Sequence, residues 1–344
     1  MNNPILSVKN LITELEINKK IYRVVDDLSF DLFPGKTLAL VGESGCGKSM
    51  TALSILRILP HPPALPSKGE IIYQNRNLLE LSEKEMRKIR GARIAMIFQD
   101  PTSALNPVYT IEQQLLEVAE LHLELYGEEA TQLIIKTLSE VGISNPQERL
   151  NDFPHQLSGG MRQRIMIAMA LMCEPDILIA DEPTTALDVT IQAQVLDLIR
   201  SIQEKRNMAV LLITHDMGIV AEIADDVIVM YASQKVEKGN VFSIFDDMSH
   251  PYTQGLFNSR PCFKGETKEK LNAIKGSVPP IGQYPSGCKF HPRCPYCMEK
   301  CKLNTVPDFI IGTPNENHTA KCFLWDDTME SNFILKTLFK PDDI

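Results

Sequence analysis

The sequence predicts an α/β protein built on a parallel sheet, with an N-terminal antiparallel β subdomain, an inserted helical subdomain and a small cysteine-rich C-terminal appendage. Short apolar strands alternate with amphipathic helices along the chain, which is the pattern of a parallel sheet with right-handed connections. One long helical stretch interrupts this alternation. Beyond His250, prolines and cysteines replace the regular pattern.

The composition is that of a folded chain of about two structural units. Hydrophobic residues make up 44% and charged residues 23% of the 344 residues, which disfavours disordered, collagen-like and coiled-coil proteins. The net charge of −9 disfavours a nucleic-acid groove, which usually carries a basic excess. We find neither an apolar run of about eighteen residues nor a signal-peptide pattern, so we expect a cytosolic protein that reaches a membrane only through partners.

The strands and turns of the core can be placed in chain order. Residues 5–33 alternate short β-rich runs with polar breaks and end at the Pro34-Gly35 turn. A helical pattern begins at Ser49 and stops at the proline-rich segment from Pro60, since proline removes a backbone donor. A strand is predicted before this helix at Thr37–Gly42, and later strands are predicted at Arg93–Gln99, Asp176–Asp181, Ala209–His215, Asp226–Tyr231 and 235–239.

Helical spacing and composition divide the rest of the chain. Apolar residues at three- and four-residue spacing from Thr110 to Ser144 predict an inserted helical subdomain at about 100–157. Another helix is predicted over Gln192–Arg206. We expect one domain over 1–249 and a separate C-terminal region over 250–344, where prolines break regular elements and six of the eight cysteines lie.

A glycine-rich turn between the first apolar strand and its helix predicts a nucleotide site. It fits the pattern G-x-x-x-x-G-K-[ST]. Its backbone N–H groups and the helix N-terminus are suited to phosphate, Lys48 to the β- and γ-phosphates, and Ser49 to Mg²⁺. The candidate residues are Gly42, Glu43, Ser44, Gly45, Cys46, Gly47, Lys48 and Ser49.

Two carboxylates follow a later buried strand. Asp181 is suited to hold the Mg²⁺ shell, and Glu182 to orient or deprotonate water. Taken alone, the same residues could be a loop start with a helix cap. Beside a phosphate loop, the catalytic interpretation is favoured.

The segment Leu157–Arg164, LSGGMRQR, predicts a second anion-binding helix N-terminus. With this segment in its place after the phosphate loop, residues 5–245 resemble the ATP-binding-cassette ATPases. The resemblance implies a P-loop NTPase (RecA-like) core and a head-to-tail dimer that sandwiches two ATP molecules. In that dimer Ser158, Gly159 and Gly160 would contact ATP held by the opposite subunit.

Further roles are implied by the same resemblance. Gln99 matches the residue that touches Mg²⁺ and water and couples to membrane subunits, so that Ser49, Gln99 and Asp181 are the implied Mg²⁺ ligands. Asp188, in Ala186-Leu187-Asp188, matches the loop at the dimer interface. His215 matches the histidine that contacts the γ-phosphate, and Tyr22 is the candidate for stacking on adenine. Glu182, His215 and Gln99 are the implied catalytic residues.

Several segments resemble a narrower group, the D-type ATPase subunits of oligopeptide/dipeptide permeases, with nickel importers as close relatives. The segments are Ile97–Pro107, Asp181–Gln194, Met230–Gln234, His250–Leu256 and Ser286–Pro295. The likeness implies two transmembrane permease subunits, an F-type ATPase partner, an extracytoplasmic peptide-binding protein and a place on the cytoplasmic face of the inner membrane. The alternatives are a soluble regulatory ATPase with a redox- or metal-sensing tail, or nickel import by the same machinery.

The C-terminal cysteines are clustered. In a reducing compartment such clustering favours iron–sulfur or zinc ligation, and the spacing does not choose between them. The resemblance implies a [4Fe–4S] cluster on Cys288, Cys294, Cys301 and Cys322. Cys297 departs from the family pattern as a competing ligand, and unmetallated buried thiols are the alternative to a metal. Cys46 and Cys173 are interpreted as packing residues.

Overall fold

A computed structural model describes residues 3–184, 188–259, 274–312 and 317–326. The chain divides into two compact units. The first comprises Met1–Ser7, Asp31–Thr37 and Ile71–Ile213, and the second comprises Val8–Phe30, Leu38–Glu70 and Thr214–Ile344. Among the described residues, no helix is both long enough and apolar enough to span a bilayer.

The strands and helices are numbered here in chain order. The strands are β1 (Leu6–Ile17), β2 (Lys20–Leu32), β3 (Thr37–Val41), β4 (Lys68–Tyr73), β5 (Arg76–Asn77), β6 (Ile94–Ile97), β7 (Ile177–Asp181), β8 (Ala209–Thr214), β9 (Asp226–Tyr231), β10 (Gln234–Asn240), β11 (Phe309–Ile310) and β12 (Thr319–Ala320). The helices are α1 (Lys48–Leu56), α2 (Glu83–Arg87), α3 (Pro101–Ala104), α4 (Ile111–Val118), α5 (Gly127–Glu140), α6 (Pro146–Arg149), α7 (Gly159–Leu171), α8 (Val189–Arg206), α9 (Met217–Ile223), α10 (Val241–Asp246), α11 (Pro251–Asn258) and α12 (Glu299–Leu303).

The first unit contains three parallel strands in the order β6-β7-β8. Ile177 of β7 lies opposite Ile94 of β6 and Ala209 of β8. Every residue of β7 and β8 is buried, which explains their nearly continuous apolar sequence. The predicted parallel sheet is confirmed, and the three strands end at one edge, where Asp181 is the last residue of β7.

The second unit contains a mixed sheet in the order β3-β9-β10-β12-β11. β3 and β9 are parallel, and the remaining pairs are antiparallel. The core beside this sheet includes three buried aromatic rings, those of Tyr231, Tyr252 and Phe290, whose centroids lie 4.7 to 5.4 Å apart. Such packing binds the C-terminal residues to the strands that precede them.

Antiparallel pairs make up the N-terminal β structure, as predicted. β1 and β2 are neighbours joined by Asn18 and Lys19, which both have positive φ, and this pair of residues makes the tight turn of a hairpin. β4 and β5 form a second antiparallel pair, with Ile72 opposite Asn77.

The helical pattern predicted from Thr110 to Ser144 is confirmed by α4 and α5, and a subdomain at about 100–157 stays a prediction. Thr110 caps α4 in a capping box: its hydroxyl accepts a hydrogen bond from the N–H of Gln113, whose side chain accepts one from the N–H of Thr110. The helix predicted from Gln192 begins earlier, at Val189, because the Asp188 carboxylate caps α8 by accepting the N–H of Ile191.

The prediction that prolines prevent regular structure beyond His250 is wrong. Pro251 begins α11, where the missing N–H would have no helical partner in any case. The tail also supplies α12 and the strand β12, which pairs with β10 through Ala320 opposite Glu237. The C-terminal region therefore extends the sheet of the second unit, and a domain boundary at 249/250 stays a prediction.

Candidate active site

The glycine-rich turn connects β3 to α1, as the sequence predicts. Gly42 has φ of 150° and Gly47 has φ of 107°, conformations that side-chain-bearing residues rarely adopt. Within the part of the chain that the structure describes, no side chain caps the N-terminus of α1. The turn thus leaves the first N–H groups of the helix to an anion, which is the arrangement that binds phosphate.

Lys48 reaches back across this turn. Its ammonium donates to the carbonyl oxygens of Gly42 at 2.7 Å and Glu43 at 3.2 Å, and the residue is 5% exposed. The charge is therefore held beside the turn before any phosphate arrives. Cys46 is fully buried, and burial raises the pKa of its thiol, as expected of the packing residue that the sequence indicates.

The carboxylates lie in the first unit, at the end of β7. Asp181 is buried, and Glu182 has φ of 46°, a strained backbone that is common at functional sites. The N–H of Glu182 donates to Ile213 O at 2.8 Å, and its carboxylate accepts from Nε2 of Gln99, also at 2.8 Å. Gln99 therefore orients the predicted base directly, and its amide oxygen remains the group suited to a cation.

The donor types suit Mg²⁺. Ser49 brings a hydroxyl, Gln99 an amide oxygen and Asp181 a carboxylate, and oxygen ligands of this kind are what Mg²⁺ prefers. Bound Mg²⁺ would neutralise charge on the triphosphate. These assignments stay predictions.

The segment Leu157–Arg164, called here the signature segment, leads into α7, the signature helix. The hydroxyl of Ser158 accepts from the N–H of Met161, and among the described residues outside this helix end no atom lies within 4 Å of where a side chain on Gly159 would begin. The site at this helix end is thus open, as a partner's nucleotide would require. Buried Gln163, to which the sequence assigns no role, donates to Pro183 O at 2.6 Å and links the signature helix to the segment after Glu182.

The remaining candidate residues lie at positions that do not test their predicted roles. Exposed His215 follows β8, and exposed Asp188 caps α8, while Ala186 and Leu187 lie outside the described residues. Tyr22 lies on β2, and a Cβ added to Gly282 would come within 2.4 Å of its ring. The roles proposed for His215, Asp188 and Tyr22 are untested by these positions.

Four C-terminal cysteines line one cavity, called here the cysteine cavity. Its lining residues are His250, Pro251, Cys288, Phe290, His291, Cys294, Tyr296, Cys301, Cys322, Phe323 and Leu324. Burial raises the pKa of Cys288 to about 11 and of Cys294 to about 12, and raises that of Cys322 further. These are the four predicted ligands. Cys297 is absent from the lining.

The buried side chain of His250 lines the cysteine cavity and has unsatisfied hydrogen-bonding capacity. Its Nδ1 accepts the N–H of Tyr252 at 3.0 Å, so the proton of the neutral ring is on Nε2. Burial lowers its pKa to about 3. Within the described chain, buried Nε2 has no hydrogen-bond partner. An anionic sulfur in the cavity would accept from it.

Among the residues that the structure describes, no three His, Cys, Asp or Glu side chains are arranged to hold a single metal ion. Zinc would need such an arrangement of four ligands around one ion. A [4Fe–4S] cluster is different, because each of its four cysteines binds a separate iron.

Comparisons with known proteins agree with this geometry. The family model described as ABC transporter matches residues 25–185, and that described as oligopeptide/dipeptide transporter, C-terminal region, matches residues 236–301. The dipeptide transport ATP-binding protein DppD of Bacillus subtilis (strain 168) is 49% identical over 95% of this chain and 96% of its own length. The oligopeptide transport ATP-binding protein AppD of the same organism is 47% identical over 94% and 97%.

The fold is also that of solved cassettes. The dimeric structure of a post-hydrolysis state of the ATP-binding cassette MJ0796, bound to ADP and Pi, matches with a TM-score of 0.61 and 25% identity. That match covers 69% of this chain and 98% of the other. With a phosphate loop, a Glu182 carboxylate that accepts a hydrogen bond from Gln99, and relatives along nearly the whole sequence, the chain is an ABC ATPase that belongs to the family of oligopeptide/dipeptide transporter ATP-binding proteins.

Proposed function

We propose that the chain is the ATP-hydrolysing subunit of a membrane importer of dipeptides or oligopeptides. The proposal rests on one observation. The chain that carries the candidate hydrolytic residues also has a C-terminal region that matches peptide transporters over residues 236–301. Relatives named for dipeptide and oligopeptide transport support the cargo class. The same matches disfavour a soluble regulatory ATPase and nickel import.

The proposed mechanism couples nucleotide state to the membrane through Gln99. The amide contacts Glu182, so a displacement of Gln99 by a permease would move the base that activates water. ATP would close the phosphate loop of one subunit on Ser158, Gly159 and Gly160 of another, and hydrolysis would release them. The free energy of ATP binding would thereby drive the permease between its inward-facing and outward-facing states.

The proposed partners follow from this role. They are two transmembrane permease subunits, an extracytoplasmic peptide-binding protein and an F-type ATPase that completes a heterodimer. The chain would then be a peripheral protein at the cytoplasmic face of the cell membrane.

The proposed assembly is tested by identifying what co-purifies with the tagged chain. The Glu182→Gln variant is extracted from native membranes in mild detergent with ATP, which holds the closed dimer, and bound proteins are identified by mass spectrometry. We expect two polytopic permeases and a second cassette ATPase. A homodimer without any membrane protein would contradict the transporter assignment and favour the regulatory ATPase.

We also propose that the cysteine cavity holds a [4Fe–4S] cluster on Cys288, Cys294, Cys301 and Cys322. Convergence of these four side chains on one cavity supports the proposal, as does the unpartnered Nε2 of His250 at the same place. Burial raises the pKa values of the Cys288 and Cys294 thiols, so we expect metal binding to release protons. A bound cluster would link the segments of the C-terminal region that carry these four cysteines.

The cluster is tested by comparing Cys322→Ser with Cys297→Ser. Cys322 lines the cavity, whereas Cys297 lies outside it and its thiol points to Met298 O at 3.6 Å. After anaerobic purification, we expect about four iron and four sulfide per chain in the parent and in Cys297→Ser, and a loss of most iron in Cys322→Ser. One zinc per chain, or iron lost equally from both variants, would contradict the assignment.

A further inference from the structure

The phosphate loop is held by two side chains from the C-terminal region. Arg293 donates to both carboxylate oxygens of Glu43, from Nη1 at 2.7 Å and from Nη2 at 3.1 Å. The hydroxyl of Tyr252 accepts the backbone N–H of Glu43 at 2.8 Å. The backbone and the side chain of one loop residue are thus both fixed from outside the nucleotide-binding motif.

Arg293 is built into this position. Its side chain is only 6% exposed, and it also donates to the carbonyls of Lys275 and Gly276 at 3.0 and 3.3 Å. Burial opposes its charge, but the hydrogen bonds to Glu43 and Tyr231 outweigh burial and raise its pKa. A planar guanidinium fits two carboxylate oxygens at once, which an ammonium cannot do.

Both contacts come from segments that line the cysteine cavity. Arg293 immediately precedes Cys294, and Tyr252 follows His250 and Pro251. The conformation of the C-terminal region therefore bears directly on Glu43. This connection holds for the chain itself, whatever occupies the cavity.

We propose that Arg293 is a positioning residue for ATP binding, which acts by fixing Glu43 in the phosphate loop. Glu43 follows Gly42, and its carbonyl oxygen accepts from Lys48, the residue expected to meet the phosphates. A loop that is already ordered loses less conformational freedom when it binds, so the contact raises affinity. In this proposal Arg293 contributes no group to the reaction, and the hydrogen bond between Gln99 and Glu182 does not include it.

The test measures Mg-ATP affinity and turnover in Arg293→Met, Glu43→Gln and the double variant of the full chain. We expect each single variant to bind Mg-ATP about 3- to 30-fold more weakly, since a charge-assisted hydrogen bond to the loop is lost. For Arg293→Met, the KM for ATP should rise by a similar factor, with kcat within about twofold of the parent. Arg293→Lys should recover only part of the affinity.

Two results discriminate positioning from general damage. If Arg293 acts through Glu43, the double variant binds no more weakly than the weaker single variant. The matched control is Lys300→Met, because Lys300 is another largely buried tail cation, paired with Asp326 at 2.9 Å and lying 4.8 Å from the Phe323 ring centroid. Lys300→Met should bind Mg-ATP like the parent.

Unchanged affinity in Arg293→Met would overturn the proposal. The proposal would also be overturned if the fold-losses of Mg-ATP affinity multiplied in the double variant, because Arg293 would then act independently of Glu43. A loss of affinity in Lys300→Met as large as that in Arg293→Met would overturn it too, because the effect would then not depend on the contact with Glu43.

Discussion

Replacing Glu182 with glutamine is expected to lower steady-state ATP hydrolysis by about 10²- to 10⁴-fold while ATP binding persists. The amide has the shape of the carboxylate but cannot take a proton from water. Nε2 of Gln99 can still donate to the remaining side-chain oxygen at this position, so the local geometry should be kept. Turnover is measured by phosphate release and binding by equilibrium titration with Mg-ATP.

The matched control for this change is Glu174→Gln. Glu174 lies in the same unit, forms an ion pair with Arg206 at 3.4 Å and has a side chain that is 71% exposed. The same loss of one negative charge at that exposed place should leave turnover near the parent value. If Glu182→Gln also turned over at the parent rate, Glu182 would not be the base.

Much of the fold could be predicted because it rests on local patterns. The apolar runs of β7 and β8 have no polar face, as expected of short strands that are buried on both sides. The regular structure of the C-terminal region is predicted less well, because the number of prolines does not show where each proline lies relative to a helix. Pro251 stops no helix, since it occupies the first position of α11.

The individual motifs of the site can be predicted from the sequence, but the contacts between their residues cannot. The glycine spacing identifies the phosphate loop because few sequences can make that turn. The contact between Gln99 and Glu182 depends on strand order: β6 lies beside β7, with Ile97 opposite Ala180, and so both residues emerge at one edge. Strand order has no local signal, and neither has the pairing of Glu43 with Arg293.

The phosphate loop should also be sensitive to a single methyl group. Gly47 has φ of 107°, and a Cβ there would lie 2.3 Å from the backbone oxygen of Val24. A strained backbone and a clash with main chain together should lower the free energy of unfolding by about 3 to 5 kcal/mol in Gly47→Ala. The thermal midpoint of the nucleotide-free chain measures the loss.

Gly45→Ala separates the two causes. Gly45 also has positive φ, 81°, but apart from its chain neighbours no atom of the described structure lies within 4 Å of the added Cβ. Backbone strain alone should cost about 1 to 2 kcal/mol, so the midpoint should fall roughly half as far or less. Equal decreases of the thermal midpoint in the two variants would show that the positive φ accounts for both losses and that the backbone at Val24 moves to accommodate the added Cβ. A larger fall in Gly47→Ala would identify the close approach to Val24 as the reason that only glycine fits immediately before Lys48.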